Sequence, residues 1–109
     1  MSVVRVVTTR GADADIAEAL AHYAAEAGPA LAVELVDALE AATTVLARQP
    51  AIGSARFAAA TGIADLRGLA LARFPYVMLY TVDSDAVRVH RVLLTARDIP
   101  TTLQGDDPG

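Results

Sequence analysis

The spacing of apolar residues changes period along the chain and marks out its elements. Val3 to Thr8 is dense in β-branched residues and stops at Thr8-Thr9-Arg10-Gly11, which predicts a short β-strand. Ile16, Leu20, Tyr23, Ala24 and Ala27 then fall on one helical face, with Asp15, Glu18, His22 and Glu26 opposite. Asp13 and Asp15 are available as N-caps, and Asp15 with Glu18 three residues on fits a capping box. Gly28 ends this helix and Pro29 opens a second. The buried stripe of the second helix is Leu31, Leu35, Ala38, Leu39, Ala42 and Leu46, with Glu34, Asp37, Glu40, Thr44 and Arg48 outside. Val33 and Val36 lie off the stripe, so this helix is apolar on more than one side. A two-residue link favours an antiparallel helical hairpin.

After Pro50 the period shortens again. Residues 50–65 are rich in glycine, alanine and turn formers and read as a surface loop with room for one helical turn. Strands are predicted over Leu66–Arg73, Tyr76–Val82 and Ala86–Leu94, separated by Phe74-Pro75 and Asp83-Ser84-Asp85. Tight turns between consecutive strands imply an antiparallel meander. The expected fold is α+β: a strand, a helical hairpin, then a three-stranded antiparallel meander, with the helices on one face of the sheet. Residues 1–104 form a single domain in this reading, and 105–109 a flexible tail.

Composition narrows the function. The chain has 109 residues, 54% of them apolar, enough for one core and too few for two domains. With no cysteine, disulfides and thiolate metal sites are excluded. No apolar run is long enough to span a bilayer, and the N-terminus lacks the pattern of a signal peptide, so a cytoplasmic protein is expected. The net charge of −4 is unevenly spread: residues 11–47 carry seven acids and no base, whereas residues 48–98 carry seven arginines against four acids. All nine basic residues are arginine. Such separation fits surfaces with different partners and equally the usual acidity of helix surfaces, and the net acidity argues against direct binding of free nucleic acid.

The element order and the residues at its joints resemble the ParE/RelE superfamily of type II toxin–antitoxin toxins, closest to ParE. The similarity runs from Val3 to about Leu103. It is carried by Asp15-Ile16 and Tyr23 in the first helix, and by Pro29, Ala32 and Leu46 with Pro50 and Gly53 around the second. Leu66-Arg67, Phe74-Pro75-Tyr76, Tyr80 and the final run Arg91-Val92-Leu93-Leu94-Thr95-Ala96-Arg97-Asp98 complete it. The resemblance implies a growth-inhibiting toxin that poisons DNA gyrase and is neutralised by a cognate ParD-like antitoxin in a complex such as a heterotetramer, with no cofactor. The alternatives it leaves open are a RelE-like ribosome-dependent mRNA endonuclease and a non-toxic relative that only binds antitoxin. Many relatives carry histidine where Leu94 stands here, which weakens an acid–base role at that position.

RNA cleavage by 2′-hydroxyl attack needs an acid, a base and cations around the phosphate. The residues available for it are His90, Arg67, Arg73, Arg88, Arg91, Arg97 and Tyr80, a sparse set with no lysine among them. Strand alternation puts Arg88 and His90 on one face and Arg91 on the other. His90 reads first as a partly exposed strand residue paired with a neighbour, and His22 as solvated; the two do not make a metal site. The expected partner-binding residues are Val33, Val36, Arg67, Arg73, Tyr80, Arg88 and Arg97, and a protein-binding role fits them better than an enzymatic one.

Overall fold

The structure is a computed structural model that describes residues 3–94. Its elements run β1 (Val6–Thr8), α1 (Arg10–Ala27), α2 (Pro29–Arg48), α3 (Arg56–Thr61), β2 (Arg67–Ala70), β3 (Tyr76–Val82) and β4 (Val87–Leu94). The predicted tail 105–109 and Arg97 lie outside the described residues.

The four strands make one mixed sheet in the order β1-β4-β3-β2. β2 pairs antiparallel with β3, and β3 with β4, while β1 returns parallel to β4 through Val6–Val87, Val7–Arg88 and Thr8–Val89. Strand alternation splits the core in two. Tyr76, Met78 and Tyr80 of β3 join Val87, Val89 and Val92 of β4 beneath Leu35, Leu39, Ala42 and Leu46 of α2. Val77 and Leu79 face the other way and gather Leu66, Leu93 and Phe57 of α3. Helices therefore touch both faces of the sheet, contrary to the one-sided packing expected from sequence. Gly68 permits the second contact: a Cβ there would stand 2.5 Å from the Phe57 ring. The alanine-rich stretch 50–65 hides α3 because Phe57 is the single large apolar side chain between Arg56 and Thr61.

α1 begins at Arg10, earlier than the Asp15 cap predicts. Thr9 is the N-cap: its hydroxyl accepts from the Ala12 amide at 3.2 Å and donates to the His90 carbonyl at 2.9 Å. At the other end Gly28, with φ of 93°, donates its N–H to the Ala24 carbonyl, and Pro29 starts α2 in the next step. The loss of a predicted cap frees Asp15 for a long-range role. Its carboxylate accepts from Arg91 Nε at 2.7 Å, from Arg91 Nη2 at 3.0 Å and from the Val92 amide at 2.9 Å. These hydrogen bonds fasten α1 to β4 beyond the point where β1 ends.

The β2 strand is shorter than the predicted Leu66–Arg73. After Ala70 the chain turns, Leu71 N–H donates to the Tyr76 carbonyl, and Arg73 takes a φ of 71° that no regular strand accommodates.

The Asp15 side chain is 11% exposed and that of Arg91 22%, so removing the carboxylate strands a largely desolvated cation. Asp15→Ala is expected to destabilise the fold by about 2 kcal/mol, read from the urea midpoint at neutral pH. A midpoint equal to wild type would mean that the clamp is energetically idle.

Candidate functional site

The residues proposed from sequence separate into three places. The first is the hairpin surface. Val33 is 59% exposed and Val36 36% on α2. Val36 lines a groove between the two long helices with Ile16, Leu20, Leu39 and Glu40. The groove is apolar at its floor and acidic at its rim, because between Arg10 and Arg48 the two helices carry acids and no arginine.

The second place is a fastened loop. Tyr80 is fully buried, and its hydroxyl donates to the Pro50 carbonyl at 2.7 Å while accepting from the Gly53 amide at 2.8 Å. Arg67 Nη1 donates to the carbonyls of Ala51 and Gly53 at 3.1 and 2.9 Å. Ser54 then bridges Gly68 of β2 through both backbone groups. Burial pushes the Tyr80 phenol above its ordinary pKa, against the opposing effects of the Gly53 hydrogen bond and Arg67. Tyr80, expected on a partner surface, is thus an internal pin, and Arg67 spends its donors on the same loop. The sequence carried the tyrosine but gave no sign of its distant acceptors.

The third place is the far end of β3 and β4. Thr81 donates to Asp83 Oδ1 at 3.0 Å and lies 2.8 Å from His90 Nε2, and Arg88 Nε donates to Asp83 Oδ2 at 2.8 Å. With the threonine proton committed to Asp83, His90 Nε2 is the donor to Thr81. Burial lowers the pKa of His90, partly offset by the nearby Asp83 carboxylate. The Asp83 carboxyl is held below its usual range by hydrogen bonds from Arg88 and Thr81. A register shift at Leu79/Tyr80 sets Tyr80 opposite Val89 and Leu79 opposite Arg91, leaving His90 as the extra residue. This bulge overturns the simple alternation expected for Arg91: its register parity now matches that of Arg88, and its guanidinium reaches Asp15 on α1. The hydrogen bond that Arg91 donates to the Asp15 carboxylate raises the Arg91 pKa further.

Arg73 lies in the β2–β3 turn at the border of the hairpin surface, with Nη2 2.6 Å from Glu34 of α2. Beside this turn Tyr23 meets Phe74 and Tyr76 edge-on at 5.4 and 6.3 Å. Among the described residues no group of three or more histidine, cysteine, aspartate or glutamate side chains is placed to hold a metal ion. Among the described residues no helix is long and apolar enough to cross a membrane.

The profile of the ParE toxin of the type II toxin–antitoxin system parDE matches residues 6–99, most of the chain and every element of the sheet. The chain belongs to the ParE toxin family. Its ParE fold is similar to a solved structure described as the chromosomal ParDE TA system from P. aeruginosa. The TM-score is 0.71 at 23% identity, over 84% of this chain and 96% of that one. No curated protein matches the sequence.

Two outcomes follow from the pinned loop and the bulge of this ParE chain. Tyr80→Phe keeps the ring in the core but leaves the Gly53 amide without its acceptor, a loss expected to cost about 1–2 kcal/mol in denaturant unfolding. Unchanged stability would show that the loop is not held by the hydroxyl. Because burial disfavours the His90 imidazolium, the folded chain binds fewer protons than the unfolded chain near the ordinary histidine pKa of about 6.5. Stability should therefore decline as pH is lowered from about 7 towards 5, and His90→Gln should flatten that slope. Identical slopes in the two proteins would remove His90 as the cause. Asp83, with its lowered pKa, acts only at more acid pH.

Proposed function

We propose that this ParE-family chain is the toxin of a two-component module, that it arrests growth by binding DNA gyrase and poisoning it, and that a cognate ParD-like antitoxin neutralises it by docking on the helical hairpin. One observation carries the binding mode over a nuclease mode. The described arginines considered for phosphate are engaged within the chain: Arg67 with the loop carbonyls, Arg73 with Glu34, Arg88 with Asp83 and Arg91 with Asp15. A phosphate clamp would have to break these pairs, and His90, its one sheet imidazole, already gives a ring nitrogen to Thr81. A poison that works by surface complementarity needs no such rearrangement.

The hairpin supports this place for the antitoxin. The exposed valines and the groove with Ile16, Leu20 and Leu39 match the anchor spacing by which an amphipathic segment lies on a helix pair. The acidic rim selects a segment with basic flanks. Arg67 and Arg88 belong to the proposed contact set only at its periphery, and Tyr80 supports it from beneath; Arg97, expected in that set from sequence, lies outside the described residues.

The test of the target is direct. Purified protein added to gyrase and relaxed plasmid should block supercoiling and accumulate cleaved DNA, while messages in arrested cells stay intact. Normal supercoiling at saturating protein would overturn the proposal, and codon-biased message cleavage would replace it with the ribonuclease reading. For the hairpin, Val33→Asp combined with Val36→Asp should leave the toxin folded and weaken antitoxin binding by about 100-fold or more, as for two lost apolar anchors. Undiminished affinity would move the antitoxin to another surface.

A further inference from the structure

Arg73 occupies a backbone conformation that suits glycine. Its φ of 71° is shared, among the described non-glycine residues, only by Asp65 at 63°. Aspartate tolerates the left-handed region through local hydrogen bonding, whereas arginine has no such compensation, and its Cβ meets the neighbouring carbonyl. Glycine would turn the chain here without that cost. The guanidinium does gain Glu34, but the two side chains are 72% and 40% exposed, a setting in which an ion pair adds little to stability. Folding therefore does not account for an arginine at this position. An outlier of this kind, tolerated in an exposed turn, points to recognition.

Its surroundings define what it recognises. Glu34 holds Nη2 and orients the planar fork. It also joins the turn to α2, and it follows directly on the exposed Val33. Arg91, also paired with the hairpin, is held largely out of solvent against Asp15, whereas Arg73 is an exposed cation beside helices that carry only acids from Gly11 to Ala47. A nucleic-acid backbone brought to Arg73 would meet Glu34 and that acidic hairpin. A single carboxylate presented by a protein would not suffer the same repulsion along its length.

We infer that Arg73 is a specificity-determining contact of the hairpin surface, strained into place to receive a carboxylate side chain of the antitoxin. This rests on the antitoxin reading given above and is independent of the gyrase reading. The antitoxin segment then carries a mixed pattern: basic residues flanking its apolar stripe, and one acid placed opposite Arg73. A segment with basic residues throughout is repelled at that point, so one residue discriminates between partners that share the same apolar anchors.

The experiment uses the full chain and the full-length antitoxin encoded by the adjacent gene, with thermal unfolding of the toxin variants and titration of the complex. Arg73→Gly should unfold at the wild-type temperature or higher, because the strain is released, yet bind antitoxin about tenfold more weakly. Arg73→Lys should fall between the two, keeping charge but not the fork. Arg73→Glu should escape neutralisation, and an acid-to-lysine change in the antitoxin should restore it. Wild-type affinity in Arg73→Gly overturns the inference, as does a marked loss of its thermal stability, which would make the arginine a folding residue. Duplex DNA binding that depends on Arg73 while antitoxin affinity does not would reassign it to nucleic acid. A supercoiling assay with the same proteins decides the gyrase reading separately.

Discussion

The three-way contact of Asp15 with Arg91 and the Val92 amide is the constraint on which the rest of the arrangement depends. β4 is the strand that everything meets: β1 runs parallel to its first half, β3 lies along its other edge, and α1 crosses its second half. β1 ends at Thr8, so from His90 onward a different element must cover that edge. Thr9 takes the His90 carbonyl and Asp15 takes the Val92 amide, so the first turns of α1 replace the missing strand. The carboxylate also neutralises Arg91, whose charge would otherwise be left largely out of water. The hairpin inherits its position from this clamp, and with it the groove and the exposed valines.

A second consequence is the way charge is distributed. The asymmetry along the sequence, acids in the hairpin and arginines in the sheet, is the source of the cross-links between the two layers. Asp15–Arg91 runs from the hairpin to β4, and Glu34–Arg73 from the hairpin to the β2–β3 turn. The first is sequestered and structural. The second is open to solvent and contributes little to folding, which leaves it free to serve recognition. The same residue types in the same pairing thus divide into scaffold and surface according to exposure alone.

Much of this architecture is legible in the sequence. The helical hairpin follows from the 3.6-residue period and from Gly28-Pro29, and the strands from alternation and turn residues. The failures have physical causes. Asp15 looks like a cap because capping is local chemistry, whereas its true partners lie 76 and 77 positions away. α3 is missed because its contact with the sheet rests on one phenylalanine and on the space left by Gly68. The face of Arg91 is misassigned because the bulge at Tyr80 reverses the parity of the residues that follow, and no residue at that point announces it. Tyr80 and Arg67 are found as polar residues of interest, but their acceptors are main-chain carbonyls, which any sequence supplies.

The central claim is that this ParE chain presents a rigid hairpin surface, held on the sheet by buried fastenings, to a protein partner. Amide hydrogen exchange of the toxin, free and bound to antitoxin, tests it most directly. The account predicts new protection along the facing sides of α1 and α2 and in the turn that carries Arg73. Protection confined to the strand ends around Arg88 and His90, with the hairpin unchanged, would contradict it.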